Sequence, residues 1–185
     1  MSLAIEIERG DITRQSVDAI VNAANSSLMG GGGVDGAIHR AAGPALLEEC
    51  RALRSGPLLD GLPTGRAVAT GAGKMPCQWV IHTVGPRRWE HADGGASLLA
   101  ACHLSSLDAA VGVGARSIAF PAISCGAFGW DAEEAAPIAI AAVRQWADAQ
   151  TGVTDSEMQS SGVDLVRFVL FDEHGMTAFR RALAG

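Results

Sequence analysis

Apolar and polar positions along the chain follow two different periods, which predict strands and helices in alternation. The alternating segment 3–8 predicts a first strand, and it ends before Gly10-Asp11. Short apolar runs predict further strands at 19–21, 67–70, 79–84, 117–120 and 165–171. Helical spacing predicts helices at 34–42, 44–53, 97–111, 133–149 and 176–184, with Pro44 at a first helical position. This alternation predicts an α/β fold whose sheet is covered by helices on both faces.

Polar and glycine-rich segments follow several of these predicted strands. In open α/β sheets, ligands bind beyond the carboxyl ends of the strands. Glycine, asparagine or aspartate follows a predicted strand at 10–11, 22–25, 71–73 and 124–129. We therefore expect these segments to form a ligand site, whereas the polar stretch 151–162 predicts the most mobile loop of the chain.

The most informative segment spans residues 29–43. Four consecutive glycines, Gly30 to Gly33, lead through Asp35 into an alanine-rich helical pattern. Glycine permits positive φ and close approach of backbone N–H groups to a ligand, and a helix N-terminus favours phosphate. The pattern predicts a phosphate site with a carboxylate at its edge; a flexible connector is the alternative.

Two standard phosphate-binding motifs do not fit. Gly31, Gly33 and Gly36 match the GxGxxG spacing, but residues 22–29 separate them from the preceding strand. Gly73-Lys74 is followed by Met75, and Val68 stands where a Walker loop has its leading glycine. The sequence therefore indicates neither a Rossmann fingerprint nor a Walker loop.

Composition narrows the class of protein. The 185 residues are 48% hydrophobic, which suits a single domain over residues 1–185 with a sizeable core. The formal net charge of −6 argues against a nucleic-acid binder, although backbone amides hold phosphate without cationic side chains. No secretory signal is expected, and the longest apolar run, at 138–143, is too short to span a bilayer.

The cysteines are scattered and lack the CxxC spacing of a zinc site. They lie at positions 50, 77, 102 and 125, and are typical of reduced thiols in a cytoplasmic protein. We expect no disulfide framework, no metal and no cofactor.

Four motifs in a fixed order resemble those of macrodomains of the MacroD-type class, close to bacterial members that process ADP-ribose. They are Gly10-Asp11-Ile12-Thr13, Asn22-Ala23-Ala24-Asn25, the glycine run to Gly36, and the segment Pro121 to Gly129. The resemblance extends over about residues 5–183. It implies a three-layer α/β/α macrodomain sandwich with a mixed central sheet, and ADP-ribose as ligand.

The resemblance places adenine beside Asp11 and Ile12. The Asp11 carboxylate can accept a hydrogen bond from the exocyclic amine of adenine, although a turn or N-cap aspartate is the alternative. Phe171, at the end of the last predicted strand, offers an aromatic face; ordinary core packing is its alternative.

Two asparagines follow the second strand. Asn22 and Asn25 carry amides that can bind a ribose diol. For Asn22 we favour turn capping, although it stays a candidate for substrate binding. For Asn25 the resemblance implies contact with the distal ribose and positioning of the reacting water.

Under the same resemblance, two loops hold the diphosphate from opposite sides. One consists of Gly32, Gly33 and Val34, and the other of Ser124, Cys125, Gly126, Ala127 and Phe128. Phe128 stands where many relatives have tyrosine, so it keeps the aromatic face and lacks the hydroxyl.

Asp35 is the predicted catalytic residue, together with Asn25. Its place at the helix start stabilises a carboxylate, which can orient and partly deprotonate a water. A Cys125 nucleophile is the less favoured alternative, because the sequence places no histidine partner beside it. His39, four residues after Asp35 on the same helical face, is expected to pack beside it.

The resemblance therefore implies a hydrolase of ADP-ribose derivatives. Expected substrates are O-acetyl-ADP-ribose and ADP-ribose esterified to Asp or Glu side chains, with ADP-ribosylated proteins as further partners. Water attacks either the ester carbonyl or the anomeric carbon. The alternatives are a non-catalytic ADP-ribose reader and a regulatory interaction module.

Overall fold

The structure is a computed structural model that describes residues 3–91, 94–150 and 162–185. The strands are β1 (Ala4–Arg9), β2 (Ala19–Ala23), β3 (Ala67–Gly71), β4 (Trp79–Thr83), β5 (Ser117–Phe120) and β6 (Leu165–Leu170). The helices are α1 (Gly33–Ala42), α2 (Pro44–Arg54), α3 (Ala96–Gly112), α4 (Ala132–Gln150) and α5 (Glu173–Ala184). Each predicted element is confirmed to within three residues at its ends. The loop predicted at 151–162 lies outside the described residues except for Gly162.

The strands form a six-stranded sheet in the order β1-β6-β5-β2-β4-β3. All neighbours are parallel except β3, which pairs antiparallel with β4 at one edge. Ile20 packs into a core with α1 and α2, whereas its neighbours Ala19 and Val21 pack on the opposite face with α3, α4 and α5. The three-layer α/β/α sandwich with a mixed sheet is therefore confirmed.

Strand direction decides which predicted segments lie together. The five mutually parallel strands end at one edge of the sheet, so residues 10–11, 22–25 and 124–129 lie at or just beyond strand ends on that edge. Residues 71–73 follow the antiparallel β3 and lie at the opposite edge, so their inclusion in the ligand site was wrong. Gly73 instead lies against the end of α1: it has φ +59°, and a Cβ there would lie 2.2 Å from the carbonyl oxygen of Ala42.

No helix within the described ranges is long and apolar enough to cross a membrane. The same ranges contain no cluster of three or more histidine, cysteine, aspartate or glutamate side chains suited to a metal ion.

Candidate active site

The glycine run ends in α1, whose first turn faces open space. Gly33 begins the helix with φ +57°, and a Cβ at Gly32 or Gly33 would meet nothing within 4 Å. At Gly36 a Cβ would lie 2.4 Å from the carbonyl oxygen of Gly31, so only glycine lets the helix pack this close to its own loop. Amides in a first helical turn have no intrahelical partner, so those of Gly33 and Val34 are available to an anion.

Asp35 lies in the first turn of α1 and is buried. Its Oδ1 accepts a hydrogen bond of 2.8 Å from Nδ2 of Asn22, and Nε2 of His39 lies 3.4 Å from the same oxygen. Its Oδ2 points toward the glycine run and lies 3.2 Å from the position of a Cβ on Gly31. One carboxylate oxygen is therefore held from behind while the other faces the loop. The packing of His39 beside Asp35 is as predicted.

The turn-capping role expected of Asn22 belongs to Asn25 in the structure. Asn22 is fully buried in β2 and holds Asp35, so the favoured turn-capping interpretation of Asn22 was wrong. The turn is instead capped by Asn25, whose Oδ1 accepts from the backbone N and Oγ of Ser27 at 3.1 and 2.5 Å. Its Nδ2 donates to the carbonyl oxygen of Gly30 at 3.0 Å.

Asn25 nevertheless borders the volume next to Asp35. A Cβ on Gly31 would lie 3.4 Å from Nδ2 of Asn25 and 3.2 Å from Oδ2 of Asp35. A primary amide carries two hydrogens, so Nδ2 keeps one donor beyond the bond to Gly30. Contact of Asn25 with a reacting water stays a prediction.

The second predicted loop turns sharply at Ser124. This residue has φ +66°, which is uncommon outside glycine, and its buried Oγ has no hydrogen-bond partner within the described ranges. Its packing requires Gly85, where a Cβ would lie 2.1 Å from that Oγ. Further along, Gly126 and Ala127 are exposed, and a Cβ at Gly126 would meet nothing within 4 Å. The loop therefore leaves space on its outer side.

Cys125 is not poised as a nucleophile. Burial raises the pKa of its thiol to about 12, and the nearby carboxylates of Asp131 and Asp172 add to the effect. A reactive cysteine needs a lowered pKa so that the thiolate is present at neutral pH. The structure therefore gives no support to the alternative of a Cys125 nucleophile.

Two aromatic side chains, Phe171 and Phe128, lie beyond the carboxyl ends of β6 and β5. Phe171 directly follows β6 and is 90% exposed, so its interpretation as core packing was wrong. Phe128 is half-buried, and the guanidinium of Arg87 lies 5.3 Å from its ring centroid. Trp89 packs against the second loop, because a Cβ on Gly129 would lie 2.8 Å from its ring. Nothing in the sequence marked Trp89 as a neighbour of this loop.

Asp11 caps a short 3-10 turn, Ile12–Arg14, that the sequence pattern did not predict. Its Oδ1 accepts from the hydroxyl of Thr13 at 2.7 Å and from the backbone N of Thr13 at 2.9 Å, and these bonds lower the pKa of Asp11. Ile12 is buried behind it. The N-cap interpretation is confirmed, and Nε of Arg14 lies 3.6 Å from Oδ2. The adenine contact stays a prediction.

A buried histidine behind the site was not predicted. His82 in β4 is fully buried; its Nδ1 lies 3.2 Å from Nδ2 of Asn22, and its Nε2 lies 2.9 Å from Oγ1 of Thr70. Burial lowers the pKa of His82 to about 3, and nearby His39 contributes. A lone histidine in an apolar strand gives no sequence signal beyond core packing.

Comparison with known proteins assigns the family. The Macro domain profile matches residues 21–139. A macro domain-containing protein of Streptomyces coelicolor is 55% identical over 179 residues, covering 97% of this chain and 98% of that protein.

Two solved structures resemble the fold closely. The Oceanobacillus iheyensis macrodomain with ADP has a TM-score of 0.89 and 40% identity, over 99% of this chain and 91% of that one. The Trypanosoma brucei macrodomain in complex with ADP-ribose has a TM-score of 0.82 and 35% identity, over 97% and 68% of the two chains. Together with the sheet order and the paired glycine loops, these similarities show that the chain belongs to the macro domain family.

Proposed function

We propose that the cleft at the carboxyl edge of the sheet binds ADP-ribose. The amides of Gly33 and Val34 on one side and the loop around Gly126 on the other suit a diphosphate, because backbone N–H groups bind anions without cationic side chains. The related structures from O. iheyensis and T. brucei, which contain ADP and ADP-ribose, support this assignment. The exposed ring of Phe171 beyond β6 supports the proposal, because an exposed aromatic face can stack on adenine.

We further propose that the protein is a hydrolase of ADP-ribose derivatives, and one observation carries this proposal. Asp35 is a buried carboxylate with one oxygen fixed by Asn22 and the other directed at the glycine loop. Burying a charge is costly, and a negative charge beside a diphosphate opposes binding. A module that only binds ADP-ribose gains nothing from this arrangement, whereas a hydrolase gains an acceptor for the proton of water.

The proposed reaction uses water as the nucleophile. Oδ2 of Asp35 accepts a hydrogen bond from that water and partly withdraws its proton, and Asn25 orients it with its remaining Nδ2 hydrogen. With O-acetyl-ADP-ribose, the water oxygen bonds to the acetyl carbonyl carbon and the bond from acyl carbon to ribose oxygen breaks. The proton taken up by Asp35 passes to the leaving ribose oxygen, so ADP-ribose leaves as the alcohol, and acetic acid loses its own proton to solvent as acetate. With an Asp- or Glu-linked ester, attack at the carbonyl or at the anomeric carbon releases the same ADP-ribose and side-chain carboxylate.

A non-catalytic reader is the second candidate, and one observation favours it. The Asn25 side chain already makes three hydrogen bonds within its own turn, so half of the predicted catalytic pair has a structural role. A regulatory interaction module would have the same binding properties. ADP-ribosylated proteins are the partners proposed in each case, and the cytoplasmic location stays a prediction.

One assay separates the two candidates. Purified protein is mixed with O-acetyl-ADP-ribose and acetate release is followed, while calorimetry measures ADP-ribose affinity on the same sample. A hydrolase releases acetate over many turnovers. Binding of ADP-ribose without any acetate release, and without release of ADP-ribose from an ester-linked protein, would identify a reader.

Changing Asp11 to asparagine tests the adenine contact. Asparagine keeps an oxygen for the Thr13 cap, but its amide nitrogen replaces Oδ2 and cannot accept from the adenine amine. Losing a hydrogen bond to a charged group costs about 1.5–3 kcal/mol, so we expect affinity for ADP-ribose to fall about tenfold or more.

The matched control for Asp11→Asn is a change of ligand. Inosine diphosphate ribose carries a carbonyl oxygen where adenine has its amine, so the new amide can donate to it. Calorimetry should show that Asp11→Asn loses far less affinity for this analogue than for ADP-ribose. Equal losses for both ligands would remove Asp11 from base recognition.

A further inference from the structure

A chain of buried hydrogen bonds runs behind Asp35, and we call it the relay: Thr70, His82, Asn22 and Asp35. The register of β2 and β4 pairs Asn22 with His82, so these side chains are neighbours on one face of the sheet. Nδ2 of Asn22 lies 2.8 Å from Oδ1 of Asp35 and 3.2 Å from Nδ1 of His82, and Oγ1 of Thr70 lies 2.9 Å from Nε2. The residues of the relay are all buried.

The Asp35 carboxylate at one end of the relay sets the direction of every hydrogen bond in it. An ionised Asp35 carboxylate only accepts, so Asn22 must turn its amide nitrogen toward it. The other hydrogen on that nitrogen then faces Nδ1 of His82, which must accept, so the proton of the neutral imidazole sits on Nε2. Thr70 fits this order, because its hydroxyl donates to the carbonyl oxygen of Gly71 at 3.1 Å and can accept from Nε2.

Simple core packing does not account for the relay. Apolar side chains would fill the same volume without the cost of desolvating a histidine, an asparagine and a carboxylate. The arrangement even leaves Oδ1 of Asn22 buried without a partner in the described part of the chain. What the relay does achieve is a single orientation of the Asn22 amide, and through it a single orientation of the Asp35 carboxylate.

We propose that His82 is a positioning residue for hydrolysis: its Nδ1 fixes the Asn22 amide, which holds Oδ1 of Asp35 so that Oδ2 faces the glycine loop. This inference rests on the proposed hydrolase function. With a donor at Nδ1, two N–H groups would oppose each other. The Asn22 amide would then turn its oxygen toward the carboxylate, and Asp35 would lose the hydrogen bond that orients it.

Two substitutions at His82 separate positioning from packing. His82→Asn places Oδ1 where Nδ1 of the histidine stood, so the variant keeps an acceptor for Asn22. Because asparagine is smaller than leucine, this variant leaves a larger cavity than His82→Leu does. His82→Leu fills more of the volume and removes the acceptor. Large cavities cost stability, so resistance to urea should be greater for His82→Leu than for His82→Asn.

Turnover should rank the two variants in the opposite order, with His82→Asn faster than His82→Leu. With O-acetyl-ADP-ribose, we expect His82→Leu to lose about tenfold to hundredfold in kcat, the loss that is typical when the hydrogen-bond partner orienting a metal-binding side chain is removed. We expect its KM and its affinity for ADP-ribose to change by less than about threefold, because the relay does not touch the ligand. His82→Asn should keep kcat within about threefold of the wild type.

Four outcomes would overturn the proposal, and they are distinguishable. An active wild type with unchanged kcat in His82→Leu would remove the positioning role alone, and so would a kcat that falls with stability in both variants. The ¹⁵N NMR spectrum of the His82 imidazole is a test that does not depend on turnover. It should show a protonated Nε2 and an unprotonated Nδ1 at neutral pH. The reverse tautomer would contradict the relay. A wild type that binds ADP-ribose without turnover would end the proposed function, and this inference with it.

Discussion

Changing Asp35 to asparagine is expected to remove almost all hydrolysis of O-acetyl-ADP-ribose while ADP-ribose binding is kept or strengthened. The asparagine oxygen can still accept from Asn22, so the side chain stays in place, but no carboxylate faces the water. Loss of a general base costs about a hundredfold to ten-thousandfold in rate. Affinity should not fall, because the change removes a negative charge near the diphosphate. Steady-state acetate release and calorimetry measure the two effects.

The control for Asp35→Asn is the same change of carboxylate to amide at an exposed position of α2. Glu48→Gln should leave both kcat and affinity as in the wild type. Full activity in Asp35→Asn would assign the proton transfer to a phosphate of the substrate.

Asn25→Ala is a less specific test, because it also removes the hydrogen bonds to Ser27 and Gly30 that cap the turn. This variant is therefore expected to lower stability as well as kcat.

Gly126→Glu is expected to abolish ADP-ribose binding in a folded protein. A Cβ at this position meets nothing within 4 Å and the backbone has no positive φ, so the protein itself accommodates the new side chain. The space in front of the loop is the space that we assign to the diphosphate. A glutamate there excludes the ligand and repels its charge, so we expect affinity to fall by more than about a hundredfold.

The matched control is Gly112→Glu, the same substitution at the end of α3. This glycine is exposed, and a Cβ there also meets nothing within 4 Å, so the two variants differ in location and not in local strain. Thermal unfolding should give similar midpoints for both, and calorimetry should show wild-type affinity for Gly112→Glu. Wild-type affinity in Gly126→Glu as well would show that the loop is a plain connector.

Most of the fold could be predicted from local sequence patterns. Each strand and helix was found within three residues of its predicted ends, because hydrophobic periodicity and glycine or proline boundaries act within a few residues. The short 3-10 turn Ile12–Arg14 was missed because a single turn has no period, and Asp11 was open to two interpretations. The direction of β3 was also not predictable from periodicity. An antiparallel edge strand and a parallel one have the same pattern, and this moved residues 71–73 to the far edge.

The sequence by itself determined the family, the order of elements and the two glycine loops, since these depend on residue types at close spacing. Only the tertiary structure decided which asparagine holds Asp35 and which one caps the turn. Asn22 and Asn25 are three residues apart and chemically identical, but Asn22 lies inside β2 and reaches Asp35, whereas Asn25 lies in the turn and caps it. His82 is 60 residues from Asn22, and only the register of β2 and β4 brings them together. Such contacts depend on how strands pair across the sheet, and that pairing is decided by packing of the whole core.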